Sequence, residues 1–200
     1  MPKYIIIIMI SMALGTGLFS QNNTIKDSYN AESRGEYQAA LEIVQNLAVS
    51  EPEEPFYQIR IAWLLYLSGK YNEALLAYQK AAQMLDCVDA HTGMINCNLA
   101  LGNWDQAITI ATEMLKVHQQ NPLLLSKVAY AAYMKKDFNT SSQYYGRIAE
   151  LYPWDMDNRG YYVNNLYLAG KLNEAKAEYA KLKKYSPQSQ TVADYAGILN

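Results

Sequence analysis

Five short triplets punctuate this chain at almost equal intervals: Gly35-Glu36-Tyr37, Gly69-Lys70-Tyr71, Gly102-Asn103-Trp104, Lys136-Asp137-Phe138 and Gly170-Lys171-Leu172, each 33 or 34 residues after the one before. A period of this length marks a stack of small supersecondary units, none of which buries its apolar face alone. One globular core would impose no fixed interval. The recurrence therefore predicts an all-α solenoid, a superhelix of antiparallel helix hairpins.

The glycine of each triplet suits the position just past a helix, where a left-handed backbone costs little without a Cβ. Three residues after the aromatic or leucine comes a small residue: Ala40, Ala74, Ala107, Ser141 and Ala175. Such a residue at one fixed place is expected where two helices cross closely enough that a larger side chain would overpack. Val44, Tyr78, Ala111, Tyr145 and Tyr179 follow four residues later, then Leu47, Ala81, Met114, Ile148 and Leu182 three beyond, all on one helical face. Pro52, Pro153 and Pro187 fall where a second helix should stop, while the third unit has Gln119 there and Pro122 slightly later.

On these residues the chain resembles the tetratricopeptide repeat (TPR) family, whose hairpin pattern is matched by Gly69-Lys70-Tyr71-Asn72-Glu73-Ala74 followed by Tyr78 and Ala81. Five units are expected at about 21–54, 55–88, 89–121, 122–155 and 156–189, with a capping helix at 190–200 closing the stack. Several positions depart from the pattern. Lys136 stands for glycine and Ser141 for alanine in the fourth unit, and His91 and Asn98 occupy places usually apolar in the third. The polar opening helix, with Ile25 and Tyr29 its main apolar residues, suits a solvent-facing end.

Residues 1–20 combine Lys3, an uncharged run beginning Tyr4-Ile5-Ile6-Ile7-Ile8, and a small-residue exit through Gly15, Thr16, Gly17 and Ser20. That order describes a signal peptide cleaved near Ser20 and predicts an exported, periplasmic or secreted protein. The alternative is a membrane anchor over residues 4–20, since no charge separates Lys3 from Lys26. The net charge of −2 becomes one unit more negative if Lys3 leaves with the leader, which argues against a nucleic-acid partner held by phosphate contacts. The lysines between Lys171 and Lys184 alternate with Glu174 and Glu178 and read as a solvated helix face.

Catalytic chemistry finds little support. Cys87, His91 and Cys97, with Asp86 and Asp89, are the sole collection resembling metal ligands, and they lack the short paired spacing of zinc sites. A disulfide between Cys87 and Cys97 is not expected, because ten helical residues separate their ends by about 15 Å. Serine-elbow, Walker and HExxH motifs are missing from the sequence. No enzyme activity, cofactor or metal is expected.

In TPR proteins the first helices of successive hairpins line a concave groove that holds partner peptides. Carried onto this register, the resemblance implies a groove of Phe56, Ile59, Trp63, Tyr66, Asn96, Tyr130, Tyr133, Asn164 and Tyr167. Asp89, Thr92, Leu99, Leu123, Ser126 and Asp157 share the same face. The lysine and asparagine set that clamps a C-terminal carboxylate in some relatives is not recognisable. Eighteen tyrosines in 200 residues exceed what the repeat positions absorb, so the groove aromatics either bind a ligand or pack between repeats. The expected function is a non-catalytic scaffold with a protein or peptide partner. Two alternatives remain: a structural subunit of an envelope complex using its ends or convex face, and an accessory glycan-binding module.

Overall fold

A computed structural model describes residues 23–200, and the leader or anchor read at 1–20 lies outside the described residues. Eleven helices are described: α1 (Ile25–Ser33), α2 (Tyr37–Ser50), α3 (Pro55–Leu67), α4 (Tyr71–Met84), α5 (Val88–Ala100), α6 (Trp104–Val117), α7 (Pro122–Met134), α8 (Phe138–Leu151), α9 (Met156–Leu168), α10 (Leu172–Tyr185) and α11 (Gln190–Tyr195). Each helix packs on the next in sequence, and odd-numbered helices also meet, α3 with α5, α5 with α7, and α9 with α11. That contact pattern is a solenoid of hairpins with the odd helices along one side.

Three residues join the helices of each hairpin, and the middle one is always left-handed: Gly35 at φ +77°, Gly69, Gly102 and Gly170 at +75°, and Lys136 at +63°. All five turns close with the same bond, the following residue's N–H reaching five residues back: Glu36 to the Ala31 carbonyl, Lys70 to Leu65, Asn103 to Asn98, Asp137 to Ala132 and Lys171 to Leu166. This is the Schellman closure, which satisfies carbonyls that the helix end would otherwise orphan. Lys136 adopts it without glycine's freedom, at a steric cost of about 1–2 kcal/mol.

The small-residue row is fully interior, with Ala40, Ala74, Ala107, Ser141 and Ala175 all between 0% and 1% exposed. Ser141 is tolerated because its hydroxyl donates to the Ala129 carbonyl across the hairpin at 2.9 Å. Asn98 is likewise provided for: its amide donates to the Met94 carbonyl (2.9 Å) and its oxygen accepts from Asn103 (3.3 Å). Pro122 does not close α6, which ends at Val117, but opens α7 as its first residue, where a missing N–H costs nothing.

At the two ends, the opening helix faces solvent as read, and the closing helix is shorter than the expected 190–200. In α1 the buried residues are Ser28 and Ala31, while Tyr29 turns outward beneath the Arg60 guanidinium, 4.0 Å from its ring centre. The tail 190–200 is helical only over Gln190–Tyr195. Beyond it Leu199 folds back to 3% exposure, and Tyr179 ties the cap down by donating to the Val192 carbonyl at 3.1 Å. The interior is divided into three clusters, one centred on α1–α4 with Cys97, one from Ile95 to Ile148, and one over α9–α11. Among the described residues no helix is long and apolar enough to cross a membrane.

Candidate functional site

The side of the solenoid formed by odd-numbered helices encloses a cleft of about 650 Å³. It gathers Tyr66 from α3, Asn96 and Leu99 from α5, Ser126, Tyr130 and Tyr133 from α7, and Asn164 from α9, all expected from the sequence. Tyr130 and Tyr133 are 43% and 37% exposed, so they present ring surface to whatever enters.

These tyrosines are propped by the next layer of aromatics. Tyr66 packs on Tyr71 (ring centres 5.3 Å apart) and Tyr133 on Phe138 (5.8 Å), in each case the triplet aromatic of the same hairpin. Tyr130 meets Trp104 edge to face at 6.3 Å. A ring braced in this way loses little freedom on contact with a ligand, which favours binding.

Other expected residues are placed elsewhere. Trp63 stacks on Tyr66 (5.9 Å), but its indole N–H donates to Glu32 at 2.7 Å and its ring lines a smaller recess with Tyr29, Tyr37 and Leu67. Phe56 packs edge-on against its neighbour Tyr57, and Ile59 joins the first core cluster. Tyr167 is covered by Tyr195 of the cap (5.1 Å), whose hydroxyl donates to Asn164 Oδ1 at 2.6 Å.

Several lining residues were not expected: Ala100, Lys127, Tyr145, Asn158, Tyr161 and Asn165. Lys127 and Tyr161 occupy one register position in successive units, beside the expected groove face. The repeat thus held a signal for them. Tyr145 and Tyr161 lie 5.4 Å apart, and burial pushes the Tyr145 hydroxyl's pKa well above the phenol range. Burial lowers the pKa of Lys127, since desolvation penalises its charged form.

The residues weighed as metal ligands do not converge. Cys97 lies wholly inside the first core cluster, whereas Asp86, Cys87 and His91 line an outer recess with Val88, Val117 and His118. There the His91 ring pairs with Asp86 at 2.6 Å. Among the described residues no group of three or more histidine, cysteine or acidic side chains could share a metal ion. Both cysteines are free.

Two ion pairs of buried arginines with partly buried carboxylates join elements away from the cleft lining. Arg60 pairs with Glu32 across the first two hairpins, and Arg159 pairs with Glu178 within the last. Arg159 also donates to the Pro153 carbonyl at 3.1 Å, fixing the chain where it leaves α8.

Residues 65–129 match the family described as Tetratricopeptide repeat. Most of the chain is similar in fold to solved structures. One is MamA from residue 41 to its end, from Desulfovibrio magneticus RS-1, with a TM-score of 0.73 at 13% identity, covering 82% of this chain and 94% of that one. The fold is a TPR solenoid. A tetratricopeptide repeat protein from Parabacteroides merdae is similar at a TM-score of 0.75 and 17% identity, over 86% of this chain and 71% of that one. YrrB, described as a TPR protein with an unusual peptide-binding site, is similar at 0.71 and 11% identity, over 87% and 90%. No curated protein matches the sequence. Within this TPR solenoid the cleft begins at the matched segment, which includes Tyr66, Asn96, Leu99, Ser126 and Lys127.

Proposed function

We propose that this TPR solenoid is a non-catalytic scaffold that holds an extended segment of a partner protein in the cleft along α3, α5, α7 and α9. The observation that carries the reading is the set of ring-braced tyrosines, Tyr66, Tyr130 and Tyr133, beside the amides of Asn96, Asn158 and Asn164. Rigid aromatics supply contact area and amides pair with a peptide backbone, whose N–H and C=O groups need partners when water is displaced. YrrB offers a precedent in name for peptide binding on this fold.

A second reading is favoured by one observation on another surface. Trp154 is 72% exposed and stands perpendicular to Tyr185 at 5.2 Å, beside Glu150 and Lys181. An exposed tryptophan in the turn between α8 and α9, outside the cleft, suits a structural subunit that contacts neighbours there.

A photo-crosslinking amino acid at Tyr133, at Trp154 and at Leu76 in the native cell separates the two. Adducts from Tyr133 alone support the cleft, and adducts from Trp154 alone overturn it. We further propose that the protein is exported, on the order Lys3, isoleucine run and small-residue exit; the amino-terminal sequence of the native protein tests this, a chain beginning at Met1 in the membrane fraction indicating the anchor.

A further inference from the structure

We propose that the cleft selects a partner segment bearing an acidic side chain, whose carboxylate is received by the Lys127 ammonium while the segment's backbone donates to Asn165. The proposal rests on the cleft reading above and specifies the chemistry of the occupant.

Lys127 is the one charged residue among those lining the cleft. Among the described residues it pairs with no carboxylate. A half-buried cation without a counter-charge pays desolvation and recovers nothing, unless an anion arrives from outside. The surrounding tyrosines and asparagines are neutral, so an incoming carboxylate meets no repulsion within the cleft.

Asn165 supplies an independent observation. It is 1% exposed, and its amide donates to the Tyr161 carbonyl at 2.8 Å, which fixes the nitrogen's place. Its Oδ1 has no hydrogen-bond partner among the described residues. A buried acceptor left unpaired is costly, and Asn98, whose oxygen accepts from Asn103, shows how such an amide is satisfied elsewhere in this chain. A donor from the occupant, such as a peptide N–H, completes Asn165.

Position then separates a side-chain carboxylate from a terminal one. The cleft crosses four first helices, and helix spacings of about 8–10 Å give it a run of about 25–30 Å. An extended chain covers that with about eight residues. Lys127 lies on α7, between Asn96 on α5 and Asn165 on α9. A segment ending at Lys127 would leave part of the cleft empty, whereas one passing through engages it all. A single cation and a net negative protein disfavour a nucleic acid, which needs several phosphate contacts.

The test pans a random peptide display library on the full-length protein, then measures fluorescence anisotropy with synthetic peptides chosen from it. Each peptide is made with Glu and with Gln at its acidic position, and with a free and an amidated carboxyl terminus. The expected result is enrichment of Asp or Glu, a loss of about tenfold or more on Glu-to-Gln exchange, and indifference to amidation. Lys127→Gln should remove the Glu preference with an unchanged or higher melting temperature, and Lys127→Glu should turn the preference towards lysine peptides. Tyr130→Ala should weaken all peptides alike. If Tyr130→Ala weakens binding while Glu and Gln peptides bind equally, the acidic preference is overturned and the cleft reading stands. Dependence on a free terminus alone overturns the side-chain assignment. Peptides insensitive to Tyr130→Ala and to both Lys127 variants, or no peptide at all, overturn both readings.

Discussion

The Tyr78 ring of α4 lies against the backbone of Gly93 in α5, in the space where a Cβ on residue 93 would stand. Tyr78 is 4% exposed and Ala90 beside it on α5 is wholly buried, so neither helix has room to retreat. Gly93 is thus kept for a close approach between consecutive hairpins, inside a helix where glycine is otherwise unfavourable. Gly93→Ala should destabilise the protein by about 1–3 kcal/mol through overpacking, despite alanine's better helix propensity. Tyr78→Leu combined with Gly93→Ala should cost less than the two single effects summed, read from denaturant melts as a double-mutant cycle. Strict additivity would show that the two residues are not in contact.

Lys136 carries the left-handed turn conformation that glycine carries in the other four hairpins. Lys136→Gly relieves a steric cost of about 1–2 kcal/mol, offset in part by greater freedom of the unfolded chain. The expected gain is about 1 kcal/mol, or about 2–4 °C in Tm. Lys136→Ala should give no gain, because alanine keeps the Cβ; a stabilised alanine variant would place the cost elsewhere.

Trp63 and Tyr130 hold the same register position two units apart but differ in surroundings. Trp63 is half-buried, stacked on Tyr66 and bonded to Glu32, which also pairs with Arg60. Trp63→Ala should therefore cost about 3 kcal/mol in stability, near the lower bound for aromatic deletions. Tyr130→Ala should cost about 1 kcal/mol or less, and its main effect should fall on binding. Equal losses of stability would contradict this division of roles.

The two thiols should be chemically distinct. Cys97 is fully buried and its pKa is pushed up to about 11 by desolvation, whereas Cys87 is partly exposed at the head of α5. The thiolate is the reactive species. A disulfide-exchange reagent at mildly alkaline pH should titrate one thiol quickly in the native protein and the second only after denaturation. Rapid reaction of both, or protection of Cys87 instead, would contradict the packing of α5.

Much of the fold was legible because the repeat reports its own geometry. Gly35, Gly69, Gly102 and Gly170 mark a backbone conformation that the sequence must encode locally, and Ala40, Ala74, Ala107 and Ala175 mark a helix crossing that only small side chains permit. Tyr66, Asn96, Tyr130, Tyr133 and Asn164 are brought into the cleft because they share one helical face. Lys127 and Asn165 escaped that reading since each lies just off this face, and their importance comes from partners they lack, a property of three-dimensional surroundings. Tyr167 reads as groove-facing until the cap is placed, for Tyr195 reaches it from 28 residues along the chain. Trp63 likewise depends on Glu32, a residue of the preceding unit.

Among the described residues each helix packs chiefly on its sequence neighbours, with α3–α5, α5–α7 and α9–α11 contacts besides, so no strong cross-brace joins distant hairpins. Mechanically the molecule is a leaf spring. A small rotation at each junction adds to the next, and the work of widening the cleft is shared among several junctions. Tyr66 and Tyr133 keep their supports throughout such bending, because Tyr71 and Phe138 travel with them in the same hairpins. The jaw can change its span without loosening its teeth.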